Sequence, residues 1–411
     1  MRLADLSWRR QKIRLIAMGC LLLAAIVNTS CANTATFDRQ LDLIAGPYKF
    51  SIALWELNAI PRAVYEVVSN NRAPVDDEVE TVMRYFSITG QISRLELEIN
   101  SGSGEEGLAA LQAELEELQQ QKTELTGTVE RIIGRQIREA LVAEGIYNPM
   151  LGVNINFPPL SFVLEEPPLL LVVSPRDRIE STWEITLKPG TSLEEIENIE
   201  ADVDGLDVSS LVVELGGFGG TFPNFVSDRG SLKFTVETAA EEWLHQYLVF
   251  TPLGFSYLLD ATGISPNYEI ATINETVAGM ISEEIGARVL AKYYPDYGTA
   301  QGDEEFNRQM REIRRAVDDY LARGEIEPAE AFMEERRQHL ESRGYYIRKL
   351  NQAYFAFYGT YADSPTSISS IGAEMRELRE RSTSLKDFLD TASGINSRKD
   401  LQRSIEQAAR E

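Results

Sequence analysis

A chain of 411 residues, 43% of them hydrophobic, can bury two or three domain-sized cores. Its formal charge of −24 excludes nucleic acid as an expected partner, because phosphate binding needs a basic surface. The only two His are His245 and His339, so a three-His metal site is excluded. The only two Cys, Cys20 and Cys31, leave the body of the chain without disulfides or a Cys-based zinc site.

Residues 1–31 read as a targeting segment. Arg9, Arg10, Lys12 and Arg14 precede an apolar run, Leu15 to Val27, of signal-peptide length. That run is shorter than the roughly 20 residues a spanning helix prefers. Thr29-Ser30-Cys31 has the small-small-Cys ending of a lipoprotein signal, although Asn28 stands where an apolar residue is usual. An uncleaved N-terminal anchor fits the same residues. Either reading tethers the chain to a membrane and places the body outside the cytoplasm.

Residues 38–147 form a helical region. Leu41, Ile44, Leu54, Leu57, Val64 and Val67 recur at helical spacing over 38–71, with Pro47 and Pro61 as breaks. A second helix over 75–100 meets Ser101-Gly102-Ser103-Gly104. A third, from Glu105, carries Leu108, Leu111, Leu115, Leu118, Leu125, Val129 and Ile132 at coiled-coil spacing, so an antiparallel hairpin is expected.

Residues 148–237 turn to Pro, Gly and β-branched types. Strands are expected at 160–164, 169–173, 182–187, 209–215 and 232–236, with a short helix capped by Thr191 or Ser192. Gly216-Gly217-Phe218-Gly219-Gly220 opens no helix and reads as a flexible loop, not a phosphate cradle. Residues 238–411 are helical: a motif helix from Ala239 to Val249, then 268–293, 304–323, 330–361, shorter helices within 364–395, and a last helix from Ser397. The expected class is α+β, mostly helical, with a small mixed sheet.

The chemistry concentrates in Glu241-Glu242-Trp243-Leu244-His245 and Asn274-Glu275-Thr276-Val277-Ala278. Residues 241 and 245, one turn apart, share a helix face, and 242 lies at its edge. This resembles the gluzincin metallopeptidases, whose pattern is H-E-x-x-H followed a few tens of residues later by N-E-x-x-A or N-E-x-x-D on a second helix. Asn274 to Gly279 and Leu350 to Phe355 resemble a bacterial aminopeptidase-like group within that class. The resemblance covers about residues 205–395 and implies a zincin-like fold. The strand at 211–215 would be the edge along which a peptide lies.

The resemblance implies a metal set of Glu241, His245 and Glu275, with Glu242 as general base and a peptide or protein as substrate. Glu241 stands where the family has His. A carboxylate still ligates Zn2+, but the site is harder and more negative, and so tolerates other divalent ions such as manganese or calcium. Glu283 and Glu284 are candidates to orient His245. Tyr345, Tyr346, Tyr354, Tyr358 and Tyr361 are candidates to stabilise an oxyanion. The competing reading is a non-catalytic envelope scaffold, in which the hairpin mediates assembly and the old site is vestigial.

Overall fold

The computed structural model describes residues 36–51, 77–100, 105–149, 156–261, 264–265, 267–298, 304–359, 367 and 369–409. The targeting segment 1–31, the helix expected over 52–71, the Ser101–Gly104 turn and Tyr361 lie outside these residues. Among the described residues no helix is long and apolar enough to cross a membrane. Over the described residues the fold is mostly helical with two three-stranded sheets.

Helix α1 (Thr36–Ala45) ends in a 3-10 turn, Gly46–Tyr48, with Pro47 in its first positions. Helices α2 (Glu78–Asn100) and α3 (Glu105–Ala143) pack together as the hairpin. At its base Val82, Tyr85, Val129, Ile132 and Ile133 enter the main core, whereas Leu108, Leu111, Leu115 and Leu118 near the tip stay half-buried. Lys122 ties the hairpin to the body through Asp228, at 2.6 Å to the carboxylate and 2.8 Å to the backbone carbonyl.

Strands β1 (Phe162–Leu164), β2 (Leu169–Pro175), β3 (Trp183–Leu187) and β4 (Val208–Glu214) follow, with α4 (Leu193–Asp204) between the last two. The first sheet has the order β3-β2-β4, all antiparallel. Its central strand is buried on both faces, which explains the unbroken Leu169-Leu170-Leu171-Val172-Val173 run. Leu169, Leu171 and Val173 pack with Ile199 and Val203 of α4 and Leu41 of α1. Val172, Leu211 and Val213 pack on the other face with Ala353. Ser192 caps α4 in a reciprocal capping box with Glu195, as its sequence position suggested.

A buried ion cluster fixes this unit to the following helices. Glu200 on α4, its side chain 4% exposed, accepts two hydrogen bonds from Arg348 at 2.8 and 2.6 Å and one from the Val212 N–H at 2.7 Å. Arg348 also donates to the Val212 carbonyl at 3.0 Å, and Lys349 pairs with Asp204 at 2.8 Å.

The second sheet, β1-β6-β5, is built from β1, β5 (Gly217–Phe218) and β6 (Asn224–Val226), with β1 and β6 parallel. The strand expected at 232–236 is instead the first turn of α5 (Leu232–Leu248). Ser231 accepts a hydrogen bond from the Phe234 N–H at 3.2 Å, and this N-cap decides helix over strand for a short Leu-Lys-Phe-Thr-Val run. Helices α6 (Pro252–Ala261), α7 (Tyr268–Tyr293), α8 (Glu304–Ala322) and α9 (Ile326–Ser342) come next.

The single helix expected over 330–361 is two. It breaks at Gly344, whose φ of 91° no helix accommodates, and resumes as α10 (Gln352–Tyr358), capped by Asn351 through the Tyr354 N–H at 2.9 Å. α11 (Ile371–Arg381), α12 (Leu385–Ser393) and α13 (Arg398–Ala408) complete the chain. One core joins the hairpin base, α5, α7 and these last three helices.

Candidate metal centre

The site is carried by α5 and α7. Ala239, Ala240 and Leu244 on α5 and Ile273, Val277 and Ile281 on α7 are buried in the same core. Gly286 permits the close approach of the two helices: a Cβ there would sit 2.6 Å from Cγ of Glu237. Helix α7 is capped by Asn267, whose side chain accepts the Ile270 N–H, and Glu275 follows about two turns later.

One ligand atom each from Glu241, His245 and Glu275 lies within 4.8 Å of the others. The His245 Nε2 is 3.4 Å from Glu275 Oε2. Two ligands of tetrahedral zinc, at bonds of about 2.0–2.2 Å, are separated by about 3.4 Å, so this pair already has the spacing of a shared cation. The donor set of one imidazole and two carboxylates fits a divalent metal.

The charge balance points the same way. Burial works against a charged imidazole at 245, yet Glu275, then Glu242 and Glu241, outweigh it and lift His245 to about 10. A pocket that holds a proton so firmly is one that favours a cation, and a metal would displace that proton.

His245 is oriented by its other ring nitrogen. Nδ1 lies 2.9 Å from Asn274 Oδ1, an atom that only accepts, so Nδ1 carries the proton and donates. This is the role expected of Glu283 or Glu284, and neither fills it. Glu284 is drawn away into ion pairs with Arg379, at 2.6 Å, and Arg288, at 3.2 Å, and Glu283 is exposed.

Glu242 lies beside the three. Burial raises its carboxyl to about 7; His245 pulls it down, Glu275 pushes it up, and the Gly219 N–H pulls it down again. The Gly216–Gly220 run, expected to be a flexible loop, is packed against this carboxyl. A Cβ at Gly219 would stand 2.6 Å from Glu242 Oε2, and one at Gly217 would strike Oε1. The glycines are there for contact.

Tyr257 on α6, absent from the expected set, completes the centre. Its hydroxyl donates to Glu275 Oε1 at 2.7 Å, and its ring stacks on the His245 ring with centroids 6.0 Å apart. Burial, then Glu275, push its pKa well above the ordinary value, so it stays a donor. Nothing in its spacing marks it; only the fold-back of α6 between the two motifs brings it in. Among the described residues, the other tyrosines expected to serve the oxyanion have packing partners or lie exposed. Tyr345 packs on Phe306, Tyr346 is 75% exposed, and Tyr354 and Tyr358 pack on each other over the first sheet. His339 is on the exposed side of α9.

With Oε1 of Glu275 held by Tyr257, Oε2 is presented to the cation position. Tyr257→Phe should therefore weaken divalent-metal binding by about 10- to 100-fold, the usual cost of removing a partner that orients a ligand. Competition against a chromophoric chelator measures it. An unchanged affinity would mean that helix packing alone fixes Glu275.

Glu184 of β3 feels the same charges: its carboxyl is raised by desolvation, opposed by the Ser181 hydrogen bond, with Glu275 and Asp260 adding to the rise. No family model matches this chain, and no curated protein or solved structure gives a significant match to it.

Proposed function

We propose that this chain is a metal-dependent peptidase with a variant gluzincin-like site: Glu241, His245 and Glu275 as ligands and Glu242 as general base. The observation that supports it is the approach of three ligand atoms to within 4.8 Å of one another beside a half-buried carboxyl lifted to about 7. Zn2+ is the ion assigned. Two carboxylates in the set make manganese or calcium better tolerated than a two-His site would.

When bound, the ion supplies Lewis acidity, polarising a scissile carbonyl and acidifying water. The residues of the chain do the rest. Glu242, near 7, takes a proton from water and passes it to the leaving amine, which needs a group close to neutrality in both directions. Asn274 and Tyr257 hold His245 and Glu275 in place. The Gly217–Gly219 backbone packs against one side of the Glu242 carboxyl and fixes its position. We read the body as membrane-tethered through its N-terminal segment on the extracytoplasmic face, where its substrates would be exported peptides or proteins.

Elemental analysis of the purified protein after zinc loading tests the reading. About one equivalent per chain is expected, lost in His245→Ala and bound more tightly in Glu241→His, which restores a softer nitrogen ligand. A wild-type chain that takes up no divalent ion leaves the non-catalytic scaffold reading in its place.

A further inference from the structure

We infer that Gln246 is a positioning residue for Glu242, acting through the Gly217–Thr221 loop; this rests on the peptidase reading above. Glu242 and Gln246 are one turn apart on α5 and share a face. The loop lies along that face and meets both residues. Its first part, Gly217 and Gly219, presses on the Glu242 carboxyl. Its second part is gripped by Gln246, which is 7% exposed.

A glutamine amide has two N–H donors. Those of Gln246 go to the Thr221 carbonyl at 2.7 Å and to Asn224 Oδ1, with the Gly219 carbonyl a more distant third acceptor at 3.4 Å. Two of these acceptors, Gly219 and Thr221, lie in the connection between β5 and β6, and the third, Asn224, opens β6. Upstream, the loop is held by the Gly217–Val226 and Phe218–Phe225 pairings and by the Ser227 N–H to the Gly216 carbonyl, 2.8 Å. Those bonds attach it to the sheet. Gln246 attaches it to the helix that carries Glu242, and so sets the height of the Gly219 N–H above the carboxyl.

The residue type follows. A glutamate at 246 would face two carbonyl oxygens and an amide oxygen with no proton to offer. It would also add a negative charge one turn from Glu242. A shorter side chain would not reach.

The test uses the full protein, with Gln246→Ala read in three ways. Metal content should be unchanged, because no ligand is touched. Amide exchange across 217–221, by mass spectrometry, should quicken by about tenfold or more, as expected when the two Gln246 hydrogen bonds are lost. On a peptide mixture that the wild type cleaves, kcat should fall by up to about 10²-fold with KM little altered, as for a misplaced catalytic group. Gly219→Ala, which pushes the loop off Glu242 while leaving Gln246 intact, should reproduce the kcat loss even if Gln246→Ala folds poorly. Unchanged exchange in Gln246→Ala overturns the clamp, and faster exchange with unaltered kcat reduces Gln246 to a structural role. Wild-type protein without metal or hydrolysis removes the peptidase reading, and the positioning role with it, whatever the exchange shows.

Discussion

On the proposed peptidase reading, Glu242→Gln protein should keep its fold and its capacity for metal yet hydrolyse peptides about 10²–10⁴-fold more slowly, the range lost with a general base. The change is conservative in shape. A glutamine oxygen can still accept from the Gly219 N–H, so the loop contact survives. What disappears is the capacity to take a proton near neutral pH. Stability should hold or rise slightly, since a carboxyl pushed up by burial is one whose charged form the fold disfavours. Single-turnover kinetics at fixed metal occupancy measure the effect. Hydrolysis within a factor of a few of wild type would mean that another group moves the proton.

Arg348→Ala should destabilise the protein by about 2–3 kcal/mol. Removing one partner of a buried pair leaves the other charged and unsolvated, at a cost of about 3–5 kcal/mol when both are fully enclosed. Here Glu200 is enclosed, whereas Arg348 is 24% exposed and Lys349 stands 3.5 Å away, ready to compensate in part. Those two facts place the effect below that range or at its lower edge. Chemical denaturation followed by far-ultraviolet dichroism gives the number. Adding Glu200→Gln should recover most of the loss, because the amide removes the stranded charge and its oxygen still accepts the Val212 N–H. If the double variant is no more stable than the single one, the penalty comes from lost packing around the Arg348 stem instead.

How much of this could be read beforehand depends on whether a feature is local. Glu241, Glu242, His245 and Glu275 were legible through the resemblance of Glu241–His245 and Asn274–Ala278 to the two gluzincin motifs; helix periodicity adds only that 241 and 245 share a face. That the two helices meet there follows from packing, which the string does not contain. The cap at Ser192 was visible in sequence, with Glu195 three residues on. The cap at Ser231 lay in equally plain view, yet the β-branched run after it suggested a strand. Gly344 was hidden inside an apparently continuous helical pattern because a positive φ leaves no compositional trace beyond one glycine.

Partners that depend on the fold were missed. Asn274, adjacent to Glu275, orients His245, while Glu284, chosen for its charge, pairs with Arg379 instead. Tyr257 lies between the two motifs in sequence and was passed over for tyrosines nearer the C-terminus.

Among the described residues the Asn274 amide nitrogen is buried without an acceptor, although its oxygen serves His245. An orphaned donor of this kind costs about 1–3 kcal/mol. Aspartate at 274 would abolish that waste and still receive the imidazole proton. It would also bring a fourth anion against Glu241, Glu242 and Glu275, deepening the well until any ion that entered was slow to leave. The neutral amide at this corner thus keeps the carboxylates around the candidate site at three, and a cation placed there would be held less tightly than with aspartate at 274.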